Sequence, residues 1–111
     1  MGYIYLIENV IGNEVNYKIG FTTDLIRRLK ELETGNPGHM DYIDYFETKW
    51  NQKLEFGVHR AFKTNNIKGE WFDLSNEDIG NFQTICEKIE NSFDFMYENN
   101  YFFKKDNLNK L

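Results

Sequence analysis

Four residues whose side chains suit anion and metal chemistry lie far apart in the chain: Tyr5, Lys18, Arg28 and Glu55. Local sequence signals suggest how a fold could gather them. Gly12-Asn13 is a two-residue hairpin signal between two stretches of alternating apolar character. If these residues form the centre of the turn, Tyr5 faces Gly20 and Ile7 faces Lys18. Directly opposed residues point to the same side of a sheet, so Tyr5 and Lys18 share a face as diagonal neighbours, roughly 7–8 Å apart at the backbone. Gly20, opposite Tyr5, is expected to leave open space over the sheet for another backbone or a ligand.

The other two residues sit on helical patterns. Leu25, Leu29 and Leu32 form an apolar stripe, and Arg28 borders it between Leu25 and Leu32. An arginine there should lie partly buried against the sheet, with its planar fork available for phosphate. Glu55 falls between Val58 and Phe62 on the next helical wheel, with His59 four residues on. A carboxylate at the edge of a core calls for a cation or a metal. Each residue also has an ordinary alternative. Tyr5 is at home in any strand, Lys18 could be solvated, and Arg28 could pair with Glu31 or Glu55. Glu55 and His59 could be a simple i,i+4 helix pair. His59 is not expected to ligate a metal, since no second His or Cys stands at a ligand spacing. His39 lies in a Pro/Gly turn and is expected to be a loop residue.

The elements that must position these groups follow from periodicity. Gly2 to Ile11 and Val15 to Phe21 read as strands. Thr22-Thr23-Asp24 offers N-caps for a helix that ends near Thr34-Gly35. Tyr42 to Trp50 reads as a third strand, and Leu54, Val58, Ala61 and Phe62 mark a second helix. Glu70 to Asp73 is a short extended piece, with Trp71 and Phe72 expected in the core and Glu70 near the site. Ser75 and Asp78 form a capping-box pattern, and a third helix over 76–97 carries Ile79, Phe82, Cys86, Ile89, Phe93 and Met96. The resulting order is ββαβα, a short β, then α. This is a small α/β (α+β) domain with a three-stranded antiparallel sheet flanked by about three helices. Residues 1–98 form the domain and 99–111 a polar tail that includes Tyr101, Phe102 and Phe103.

Composition narrows the function classes. The chain has 111 residues, one cysteine and a net charge of −5. It is long enough for one domain, cannot form an intrachain disulfide, and lacks a membrane-spanning run or a signal peptide. An intracellular location, not secretion, is therefore expected. The overall charge argues against indiscriminate nucleic-acid binding, but the distribution is uneven. Lys49, Lys53, Arg60, Lys63 and Lys68 are opposed only by Glu55, whereas the stretch from Glu70 to Glu98 is strongly acidic. That pattern fits one basic and one acidic face. High Asn, Lys, Tyr and Phe content suggests an AT-rich genome, phage or virus.

At this point the sequence resembles the GIY-YIG nuclease superfamily. Tyr3-Ile4-Tyr5 is similar to its GIY element and Lys18-Ile19-Gly20 to its YIG element, while Arg28 and Glu55 match the superfamily's helix arginine and metal-binding glutamate. More specifically, Tyr17-Lys18-Ile19-Gly20, Arg27-Arg28-Leu29 through Thr34-Gly35-Asn36-Pro37, Leu54-Glu55 with His59 and Phe62, and Gly69-Glu70-Trp71-Phe72 resemble one phage and viral branch. That branch is named for a bacteriophage T-five reading frame and is usually described as a DNA-binding domain. The likeness runs from about Gly2 to Leu74. Tyr3 replaces the first glycine of GIY, Lys18 stands where many relatives have tyrosine, and Leu32 stands where some active relatives keep a histidine.

The resemblance implies a metal-dependent endonuclease hydrolysing phosphodiester bonds in DNA with weak sequence preference. Its alternative is a nucleic-acid-binding module of the same fold that does not cut. It assigns catalytic work to Tyr5, Lys18, Arg28 and Glu55, with Glu55 holding one Mg²⁺ or Mn²⁺. Arg27, Lys30, Lys53, His59, Arg60 and Lys63 are the expected nucleic-acid contacts. The 76–97 helix is a candidate surface for a protein partner or self-association.

Overall fold

The computed structural model describes residues 1–99. β1 (Gly2–Ile11) and β2 (Glu14–Thr22) form the expected hairpin, with Tyr5 opposite Gly20 and Ile7 opposite Lys18. Gly12, at the first central turn position, has φ +60°, a conformation glycine adopts without steric penalty. Asp24 caps α1 (Leu25–Glu33) by accepting from the Arg27 backbone N–H. β3 (His39–Thr48) pairs antiparallel with β1, with an irregularity between Leu6 and Ile7. His39, expected in a loop, is the first residue of this strand.

α2 (Gln52–Ala61) leads through a 3-10 turn (Lys63–Asn65) to β4 (Asn66–Lys68) and β5 (Trp71–Phe72). These two short strands correct the three-strand expectation. The sheet has five strands in the order β3-β1-β2-β5-β4, with antiparallel pairing throughout. Gly69, at φ +58°, turns the chain between β4 and β5. The extended piece pairs because Tyr17 and Lys18 offer a free β2 edge to Phe72 and Trp71. The third helix is also corrected. It is divided into α3 (Asn76–Gly80), opened by the Ser75–Asp78 capping box, and α4 (Phe82–Asn99). Gly80 and Asn81 interrupt what reads in sequence as one stripe. Apart from Asn99, which ends α4, the expected polar tail lies outside the described residues.

Alternation in the strands loads both faces of the sheet. Ile4, Leu6, Tyr17 and Ile19 face α2 and α4, where Leu54, Val58, Phe62, Phe72, Leu74, Phe82 and Cys86 complete the larger core. Tyr5, Ile7 and Met40 face the other way and are covered by Leu25, Leu29 and Leu32 of α1, with Tyr42 and Trp71. The result is three layers, helix on sheet on helices. The apolar stripe of α4 is used within the domain, since Phe82 and Cys86 are fully buried and Ile89 and Phe93 pack against the core. Among the described residues no helix is long and apolar enough to cross a membrane.

Candidate functional site

The site begins on the β1–β2 hairpin. Tyr5 is fully buried and Lys18 nearly so, both on the α1 side of the sheet. Gly20 was expected to leave open space, but that space is filled. A Cβ there would collide with the Tyr5 hydroxyl and lie 2.6 Å from Glu70 Oε1. The missing side chain is what lets a phenol and a carboxylate meet over the strand.

From α1, the Arg28 Nε–H donates to the Tyr5 hydroxyl at 3.3 Å, and Nη1 reaches Glu31 Oε2 at 3.4 Å. Arg28 is half-buried, as its border position on the helical stripe implied. Tyr42 packs edge-on to Tyr5 with centroids 5.6 Å apart and donates to the Leu25 carbonyl at 2.7 Å. Burial raises the Tyr5 phenol above its ordinary pKa, while Arg28 pulls it down and Glu70 and Glu55 add to the rise. Tyr42, likewise desolvated, is pushed up to about 12.

Glu55 arrives from the other side. Its helix packs on the face opposite α1, because Leu54 and Val58 belong to the core built on Ile4, Leu6 and Ile19. The expectation that Tyr5, Lys18, Arg28 and Glu55 meet on one sheet face is therefore corrected: Glu55 approaches at the edge of β2. Ile19 fixes this arrangement. Its N–H donates to the Glu70 carbonyl at 3.0 Å, and its own carbonyl accepts from His59 Nε2 at 2.7 Å. The His59 ring also packs edge-on to Phe72 at 5.1 Å. His59 thus ties α2 to the strand edge and holds Glu55, one turn earlier, beside Glu70.

The two carboxylates form the acidic side of the site. Glu70 Oε2 lies 3.8 Å from Lys18 Nζ, and Lys18 sits over the Trp71 ring at 5.0 Å. Glu55 and His59 are 4.0 Å apart. Ligand atoms of Glu55, His59 and Glu70 all lie within 4.8 Å of one another. Burial, then the neighbouring Glu70, raises the Glu55 carboxyl; His59 and Lys18 only partly offset this. Two oxygen donors that repel each other and are only partly solvated suit a hard divalent cation such as Mg²⁺ or Mn²⁺. His59, not expected to ligate a metal, lies beside both glutamates. Even so, with Nε2–H donated to Ile19, its role in this geometry is to orient.

The model of the T5orf172 domain matches residues 2–98. The chain belongs to the T5orf172 domain family. An uncharacterized protein of Acanthamoeba polyphaga mimivirus is 29% identical to it over 110 residues, covering 96% of this chain and 28% of that protein. The chain therefore spans about a quarter of that viral relative's length. No solved structure matches. Membership points to a nucleic-acid-binding or nuclease-like module, and the viral relative agrees with the phage or viral expectation.

In this T5orf172 domain the expected nucleic-acid contacts divide into two groups. Arg27 and Lys30 are exposed on α1, Arg27 beside Glu31 at 3.5 Å. Lys53, Arg60 and Lys63 lie on and just after α2, on the other side of the sheet, with Lys53 over Trp50 and Arg60 over Phe56. His59 turns inward instead. Sequence reasoning expected Glu70 near the site without a role and left Trp71 and Tyr42 out of it. Glu70 completes the carboxylate pair, Trp71 supports Lys18, and Tyr42 backs Tyr5. The signal for the first two was the Gly69-Glu70-Trp71-Phe72 run, whose alternation places Trp71 and Phe72 on opposite faces once it pairs with β2.

Proposed function

We propose that this T5orf172 domain is a metal-dependent endonuclease of GIY-YIG type that hydrolyses phosphodiester bonds in DNA. The observation that carries this reading is the convergence, at one strand edge, of a phenol, a buried lysine, an arginine and two carboxylates. A module that only grips phosphate gains little from a carboxylate pair beside the binding cations.

In this reading Glu55 and Glu70 hold one Mg²⁺ or Mn²⁺. Such an ion, held by these two carboxylates, would supply Lewis-acid stabilisation of the scissile phosphate and of the leaving 3′ oxygen. Arg28 donates to the non-bridging oxygens, where negative charge grows. The attacking water is placed by Tyr5 and Lys18 and gives its proton to the Tyr5 oxygen, which has first released its own proton to solvent; the Arg28 N–H donated to that oxygen favours the phenolate against the opposing effect of burial, Glu70 and Glu55. A new P–O bond forms from that water, the P–O3′ bond breaks, and the departing 3′ oxygen takes a proton from solvent. A domain of this size presents few side chains to base edges, so its own sequence preference is weak.

A second reading, a DNA-binding module that does not cut, is favoured by one observation: Tyr5 is fully buried. Supercoiled plasmid incubated with Mg²⁺ or Mn²⁺ separates the two. The nuclease reading expects nicks that DNA ligase reseals, because they carry a 3′ hydroxyl and a 5′ phosphate. Tyr5→Phe and Arg28→Ala should each lower the nicking rate by about 100-fold or more. Plasmid retained in a gel shift but never nicked would support the binding module.

A further inference from the structure

A groove adjoins the carboxylate pair between α2 and the β4–β5 segment. It is lined by Phe56, His59, Arg60, Lys63, Asn66, Gly69 and Phe72, and its volume is about 390 Å³. Phe72 forms a buried floor, whereas Phe56 is 65% exposed at the wall. The Arg60 guanidinium carbon lies 5.9 Å from the centre of the Phe56 ring. Among the described residues no carboxylate lines the groove, although the chain is acidic overall. His59 and Gly69 join it to the site, since each adjoins one of the two glutamates: His59 is 4.0 Å from Glu55, and Gly69 immediately precedes Glu70.

An exposed phenylalanine costs solubility and is not needed by the core. Next to an arginine, above an apolar floor and within a cationic rim, it makes a stacking surface for a flat, anion-bearing ligand. In duplex DNA both faces of each base are already stacked on neighbours, so only an unpaired base can occupy such a surface. Lys63 and Arg60 would then meet the phosphates on either side. We propose that this groove stacks an unpaired base beside the phosphate at the carboxylate pair, so that the substrate is single-stranded DNA or a single-stranded flank. The inference rests on the proposed action on DNA and narrows it to a substrate class.

The test is fluorescence anisotropy in EDTA, which separates binding from cutting. Labelled oligothymidine and a blunt duplex of mixed sequence are titrated with wild type, Phe56→Ala and Arg60→Ala. Wild type should bind oligothymidine more tightly than duplex. Phe56→Ala should weaken oligothymidine binding by about 10-fold and leave duplex binding unchanged, and Arg60→Ala should weaken both. Phe56 is exposed, so circular dichroism should show the variant folded. Unchanged oligothymidine binding by Phe56→Ala, or equal loss on both ligands, would overturn the proposal. So would a concentration-dependent dimer in light scattering that Phe56→Ala abolishes, since the surface would then belong to a second copy. Nicking by wild type with no Phe56 effect on oligothymidine would remove this inference alone. A Phe56-dependent preference for oligothymidine with no cutting of plasmid or oligothymidine in Mg²⁺ or Mn²⁺ would keep it and remove the nuclease reading.

Discussion

A methyl group at position 20 would strike the Tyr5 hydroxyl and crowd Glu70. Gly20→Ala should therefore cost about 1–3 kcal/mol of stability, seen as a lower urea midpoint, and abolish nicking by separating the phenol from the carboxylate. Glu55 makes the opposite stability prediction. Its carboxyl is raised by burial and by Glu70, so the fold favours its protonated form, and that contribution fades as pH rises through the raised pKa. At neutral pH, Glu55→Gln removes a disfavoured charge. The metal-free variant should melt a few degrees above wild type while losing activity, and a lower melting temperature would contradict the assignment. At this scale much of the site was legible. Hairpin register alone set Tyr5 and Lys18 on one face, and the helical stripe put Arg28 at its border. Glu70 was harder to place, because its position depends on a loop that the Ile19 backbone captures. No periodicity reports such a contact.

The elements were legible where their pattern is long. β1, β2, α1 and the Ser75–Asp78 cap follow from alternation, stripe and capping chemistry. β4 and β5 have only three and two residues, too few for a period, and exist because β2 has an open edge. The side from which α2 approaches was not legible either, since a helical stripe says that a face is buried but not against which side of a sheet. The packing of α2 on α4 gives a direct test. A Cβ on Gly57 would lie 2.9 Å from Ile89, so Gly57→Val should force the helices apart and lower stability by about 1–3 kcal/mol in chemical denaturation. Cys86 reports on the same layer. It is fully buried, and its thiol is pushed up to about 12. A raised thiol pKa favours the fold below the unfolded value and loses that contribution only as pH rises through the folded one. Near pH 8 a thiol reagent should label Cys86 only as fast as the protein unfolds. Rapid labelling of native protein would show that α4 is not seated as described.

The whole molecule sets one chemical centre at the edge of a five-stranded sheet, fed by α1 from one face and α2 from the other. Its net charge of −5 leaves attraction to DNA to local cations on α1 and α2, so binding should weaken steeply with salt. The chain covers only 28% of its mimivirus relative, and a domain of this size presents few side chains for reading a sequence. Cuts in a plasmid should therefore be scattered, and a single sharply preferred site in end-mapped products would contradict that expectation. The central claim, that Glu55 and its neighbours cut DNA with a divalent ion, is tested most directly by supercoiled plasmid with Mn²⁺ or Mg²⁺, wild type beside Glu55→Ala. The account predicts metal-dependent open-circular product from wild type and none above background from the variant. Equal nicking by both proteins, or no cutting of plasmid or oligothymidine by folded wild type with either ion, would contradict it.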